Sequence, residues 1–144
     1  MVIAICLSLI LVIISTLIHY EFLRLISIHV DQIRISTRPR ILVIIFGAFA
    51  AHLLEIFLYA IALFLLHDNF GLGGFGGVFI DSFSTYLYFS TESYTALGMG
   101  DIIPKGPLRL LVGIEAINGL LLIAWSASYT YVYMSNYWKF GEGK

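Results

Sequence analysis

Three long apolar stretches constrain this chain before any motif is read. Residues 2–18 contain no charged side chain, and their apolar character continues with interruptions to residue 28. Residues 41–66 carry only two residues of charged type, His52 and Glu55. Residues 108–134 carry Arg109 at their start and Glu115 inside. A helix that crosses a bilayer needs about 20 mostly apolar residues, and these runs meet that demand. Of the 144 residues, 60% are hydrophobic and 12% charged. A soluble domain would carry about 25% charged residues. A net charge of −1 argues against a nucleic-acid surface. The single cysteine, Cys6, excludes an intrachain disulfide and a cysteine-rich metal centre, and reads as a small buried hydrophobe. The first run lacks a basic start and a small-residue cleavage site, so it reads as a mature helix.

Lysine and arginine set the expected orientation. Arg24, Arg34, Arg38, Arg40, Lys139 and Lys144 fall at the link between the first two runs or in the tail. Only Lys105 and Arg109 lie on the other side of three spans. The N-terminus is therefore expected outside, and the link and C-terminus cytoplasmic, in a multi-pass protein of the cell (inner) membrane. Tyr129, Tyr131, Tyr133, Tyr137 and Trp138 crowd the inner end of the third run, at headgroup level.

The segment between the second and third runs is different. It begins with the glycine-rich stretch HDNFGLGGFGG, read as a flexible outer loop. DSFSTYLYFSTESY follows, with Asp81 or Ser82 placed to cap a helix. This helix is too short and too polar to cross, which marks a re-entrant element. Non-helical backbone at membrane depth survives only inside protein or beside water, so residues 94–101 are expected to line something wet. Gly98 and Gly100 suit that place, because glycine enters positive φ at little cost and lets successive carbonyls point one way.

Thr95, the run Gly98-Met99-Gly100-Asp101, the following Ile102-Ile103-Pro104, Arg109 and Gly119 together resemble the pore module of the potassium-channel superfamily. The chain looks like the small bacterial ion channels with two pore-domain helices. The resemblance implies an all-α membrane protein with three transmembrane helices, a re-entrant pore helix and a filter loop, in a tetrameric channel. It assigns 1–30 to an extra N-terminal helix and 31–40 to a cytoplasmic basic linker. The pore domain, 41–135, then has an outer helix at 41–66, an outer loop at 67–80, a pore helix at 81–94, a filter at 95–101 and an inner helix at 108–135. A short tail occupies 136–144. One chain supplies one filter strand, so the resemblance implies a homotetramer whose carbonyls at Thr95, Ala96, Leu97, Gly98, Met99 and Gly100 replace a cation's hydration shell. Gly119 stands at a plausible hinge of the inner helix.

Two positions depart from the family's Thr-Val-Gly-Tyr-Gly-Asp. Ala96 stands at the threonine and offers no hydroxyl oxygen. Met99 stands at the tyrosine and cannot hydrogen-bond back to the pore helix. The expected permeant ion is a monovalent cation, K⁺ first, with a non-selective or non-conducting pore as the alternative. No cofactor and no resident metal is expected.

Glu92 and Asp101 are read as supports of the filter. Either the two carboxyls meet behind it and share a proton, or Glu92 bonds a backbone amide and Asp101 faces the outer vestibule. His52 and Glu55 share a face of the second run, and Glu115 and Asn118 share a face of the third. Counted at about 1.5 Å per residue, His52 and Glu115 lie level, so they are expected to meet, with Glu55 or Asn118 nearby. That polar cluster reads as a helix clamp, or as a proton- or metal-responsive sensor. His19, Glu21 and Arg24 are expected to end the first helix near the cytoplasmic interface and snorkel or pair there, with metal binding as the lesser alternative. Ile117, Leu121, Ala124 or Trp125, and Ser128 fall at the spacing of a pore-lining stripe, with Trp125 as a candidate hydrophobic gate. No arginine ladder for voltage sensing is present. No catalytic order of Ser, His and Asp appears, and Ser126 and Ser128 lack a base, which argues against an enzyme.

Overall fold

The computed structural model describes residues 2–32 and 37–141. Arg34 and Lys144 lie outside the described residues, as do the side chains of Arg38, Tyr137, Trp138 and Lys139. The chain forms α1 (Val2–Gln32), α2 (Thr37–Phe64), β1 (Gly74–Gly77), α3 (Phe83–Tyr94), β2 (Ile102–Lys105) and α4 (Leu108–Gly141). Helices α1, α2 and α4 are each long and apolar enough to cross a membrane. With no water to satisfy amides in hydrocarbon, a continuous helix is what such runs must form. Pro39 is accommodated because it sits in the first turn of α2, where an N–H has no helical partner.

The helices exceed the spans counted from hydropathy. Residues 31 and 32 belong to α1, residues 37–40 to α2, and 136–141 continue α4, so the linker and tail are shorter than expected. Cys6 is exposed on α1 rather than buried. Side-chain bonds fix the packing. Ser15 meets Asn118, His19 meets Ser126 and Ser27 meets Tyr129, so α1 and α4 run in the same direction. Helix α3 packs between α2 and α4. Its Tyr86 and Phe89 belong to one buried cluster with Tyr59, Leu63, Leu108 and Leu111.

The glycine-rich segment is not a loose loop. Helix α2 runs into a π-helical turn, Leu65–Asn69, and β1 then pairs antiparallel with β2, Gly74 opposite Lys105 and Gly77 opposite Ile102. Two things hold this short sheet. Phe75 stacks on Phe79 at 4.6 Å and meets Phe89 edge-on at 5.2 Å. Gly77, at φ +80°, lies so close to the Asp101 carbonyl that a Cβ would collide with it. Strand β2 is thereby anchored to β1, which lies on the other side of α3 in sequence.

Candidate functional site

The site is built at the inner end of α3. Thr95 is the C-cap residue and Ala96 follows at φ +54°. The Ala96 N–H donates to the Ser93 carbonyl and the Leu97 N–H to the Glu92 carbonyl, both at 2.9 Å. This is a Schellman cap with alanine where glycine is usual. Gly98 N–H also donates to the Glu92 carbonyl, at 3.3 Å. Met99 N–H donates to Glu92 Oε2, at 3.2 Å. Three successive amides, 97, 98 and 99, therefore converge on one residue. No peptide bond here is cis. In a planar trans peptide the C=O opposes the N–H, so the carbonyls of Ala96, Leu97 and Gly98 are directed away from Glu92. Gly98 and Gly100, at φ +56° and +79°, supply the alternation this path needs.

Glu92 and Asp101 do not bond each other. Asp101 accepts from the Tyr88 hydroxyl at 3.0 Å and from the Ile102 N–H at 3.0 Å, while its own carbonyl accepts from Val78 N–H. The shared-proton pair is thus replaced by the other reading, with Glu92 on a backbone amide. Burial pushes the Glu92 carboxyl above the ordinary carboxylate range, and the charge of Asp101 adds to that rise. The Thr95 hydroxyl donates back to the Thr91 carbonyl at 2.8 Å. Leu97 and Met99 are 63% and 64% exposed, which leaves two large apolar side chains with nothing of their own chain to cover them.

Gly119 sits where α4 crosses the end of α3. Helix α4 is unbroken there. A Cβ at this position would overlap the Tyr94 carbonyl oxygen and lie 2.9 Å from that carbonyl's carbon. Its role in this structure is close approach. Ile117, Leu121, Ala124 and Ser128 form an exposed stripe on α4. Trp125 is also exposed, and its ring lies 5.3 Å from that of His19 on α1.

Residues 40–136 match the family model described as "Ion channel", which takes in more than half of the chain. The chain belongs to the ion channel family. The matched part is a two-transmembrane, potassium-channel-like domain, and α1 is an additional apolar helix. Neither a curated protein nor a solved structure matches the channel.

The channel's intramembrane polar groups are arranged differently from the expected cluster. His52 and Glu115 do not bond. Glu115 Oε1 accepts from the Ser90 hydroxyl at 2.6 Å, and its Oε2 has no partner among the described residues. Asn118 donates to Ser15 and to the Tyr59 hydroxyl. His52 and Glu55 instead join His19, Tyr94 and Ser126. His19 Nδ1 lies 2.9 Å from Glu55 Oε1, and His52 Nδ1 lies 3.2 Å from Glu55 Oε2 and 2.9 Å from the Tyr94 oxygen. The Tyr94 hydroxyl donates to Glu55 Oε2. Ser126 and His19 Nε2 are 3.1 Å apart.

The level count fails for a physical reason. Because both helices are longer than the hydropathic runs, the residue of α4 at the height of His52 is Ser126. Each lies the same number of residues from its helix end, Thr37 and Gly141. His19 also departs from its expected place. It is fully buried and mid-helix, while Glu21 and Arg24 pair at 3.0 Å on the exposed face of α1. A sequence signal for it exists: a helix that continues to Gln32 puts residue 19 at membrane depth, where an ionisable group needs partners.

Proposed function

We propose that this chain is the subunit of a homotetrameric cation channel that passes monovalent cations along the main-chain carbonyls of residues 95–100. The observation that carries the reading is the convergence of three successive amides on Glu92. It turns the opposed carbonyls outward from the body of the subunit. Symmetry then brings copies of that edge together around an axis, where the oxygens replace a hydration shell. The exposed Leu97 and Met99 and the open stripe of Ile117, Leu121, Ala124 and Ser128 support assembly, since each is apolar or small surface that the single chain leaves uncovered. The basic residues support an inner-membrane subunit with its N-terminus outside and its C-terminus in the cytoplasm.

K⁺ is the first candidate ion. A second reading, a pore that does not separate K⁺ from Na⁺, is favoured by one specific feature. Ala96 brings no hydroxyl, and the Thr95 hydroxyl is bonded to the helix, so the innermost site has carbonyl oxygens alone. The test is purified protein in lipid vesicles, with reversal potentials measured under K⁺ and Na⁺ gradients and the mass of the assembly measured in detergent. A fourfold assembly with K⁺-dependent potentials supports the first reading, and equal permeabilities support the second. A monomer, or vesicles tight to both ions, refutes both.

A further inference from the structure

We propose that His19, His52, Glu55 and Tyr94 form a binding site for a divalent transition metal of the Zn²⁺ class. The site pins the additional helix α1 to the base of the filter loop. This goes beyond conduction, and no part of it requires that ions flow.

The geometry comes first. One ligand atom each from His19, His52 and Glu55 lie within 4.8 Å of one another. The Tyr94 oxygen is 2.9 Å from His52 Nδ1 and is bonded to Glu55 Oε2. Two imidazole nitrogens and a carboxylate oxygen are donors of the kind Zn²⁺ takes in tetrahedral sites, at about 2.0–2.2 Å, and the Tyr94 oxygen stands where a fourth donor would complete the set. Bonds of about 2.1 Å place tetrahedral donors about 3.4 Å apart. The His19 Nδ1–Glu55 Oε1 and His52 Nδ1–Glu55 Oε2 separations, 2.9 and 3.2 Å, run to different oxygens of one carboxylate, so seating an ion requires Glu55 to turn as well as these contacts to open. Mg²⁺ and Ca²⁺ prefer oxygen donors and fit poorly.

Charge and protons also balance. A divalent cation with the Glu55 carboxylate and a Tyr94 phenolate has no net charge, which suits the interior of a bilayer. Binding sends the phenol proton to solvent and moves each imidazole proton from Nδ1 to Nε2. For His19 that proton has an acceptor waiting, the Ser126 oxygen at 3.1 Å. Such an outer hydrogen bond is what orients a metal-bound imidazole. An open, mostly apolar groove of about 400 Å³ between α2 and α4, lined by Ile45, Ala48, Phe49, Ser126 and Ala127, reaches His52.

The consequence is mechanical. His19 belongs to α1, His52 and Glu55 to α2, and Tyr94 is the last residue of α3 before the filter loop. The Tyr94 carbonyl also rests on Gly119 of α4. One ion would tie together groups from three helices at the point where the loop begins.

The experiment uses untagged full-length protein carrying Cys6→Ser, so that the lone thiol cannot compete. Titration with Co²⁺ should give visible absorption bands of tetrahedral intensity, saturating at one ion per chain and displaced by Zn²⁺. Zn²⁺ should also raise the thermal midpoint. His19→Gln or His52→Gln should weaken binding by about 100-fold or more. Absence of tetrahedral bands at millimolar Co²⁺, or equal binding in both variants, overturns the proposal. Should the variants fail to assemble, X-ray absorption at the zinc edge of the otherwise unaltered protein decides alone. Two imidazoles per ion support the site, and fewer overturn it. Neither readout depends on conduction, so failure here leaves the channel reading standing.

Discussion

Replacing Gly119 by alanine sets two effects of opposite sign against each other. In a helix interior, Gly→Ala is worth about 1 kcal/mol in favour of alanine, because glycine loses more backbone entropy. Crowding acts the other way. The new methyl would overlap the Tyr94 carbonyl oxygen and stand 2.9 Å from both the carbonyl carbon and the ring Cγ. Neither the carbonyl nor the ring can rotate out of the way, since the first belongs to the end of α3 and the second is bonded to Glu55 and His52. Inserting a methyl into such a contact costs about 1–3 kcal/mol, and a contact with backbone belongs at the upper end. Crowding wins, and Gly119→Ala should destabilise by about 1–2 kcal/mol net. Gly113 lies on the same helix, and a methyl added there would meet nothing within 4 Å, so Gly113→Ala should gain the propensity term alone. Equilibrium unfolding in mixed micelles, with both variants beside the parent, reads the difference. Equal shifts of one sign in the two variants would refute the account of Gly119 as a close-approach residue.

Glu92→Gln should flatten part of the pH dependence of stability. Burial and Asp101 raise the Glu92 carboxyl above its ordinary 4.5, so the folded state favours the protonated form. Its contribution is full below 4.5 and is lost as pH rises through the raised value, a decline that thermal midpoints across acid pH should show in the parent and not in the variant. Ala96→Gly should raise the midpoint, because a left-handed conformation costs an L-residue about 1–2 kcal/mol and glycine's extra unfolded-state entropy returns only about 0.4–1 of it. Ser90→Ala removes the hydroxyl that donates to Glu115 Oε1 and sits 2.9 Å from the Ile56 carbonyl, leaving a buried carboxyl without that donor. A loss of about 1–3 kcal/mol is expected in chemical denaturation.

The spans and the re-entrant helix are readable because lipid imposes a length and a polarity that local sequence cannot disguise. Gly98 and Gly100 are readable too, since positive φ has few other occupants. Ala96 is not: its left-handed φ comes from the cap that closes α3, and alanine carries no mark of that role. His19 is hidden by its neighbours. Glu21 and Arg24 look interfacial, but they satisfy each other on the outer face while His19 turns inward one step along the helix. The glycine-rich stretch reads from composition as loose, whereas pairing with residues 102–105 and the stacking of Phe75 on Phe79 order it. Glu115 shows the limit of spacing arguments: periodicity gives the face of a helix, but only neighbouring elements decide what that face meets.

Helix α1 lies wholly outside the matched residues 40–136, yet its side chains complete bonds deep within that domain. Ser15 satisfies Asn118, and His19 satisfies both Glu55 and Ser126. A shortened chain starting at Pro39 would therefore not be a minimal pore but a wounded one, with polar groups opened to acyl chains. Anyone building a chimera from this protein has to transplant residues 15 and 19 together with the pore.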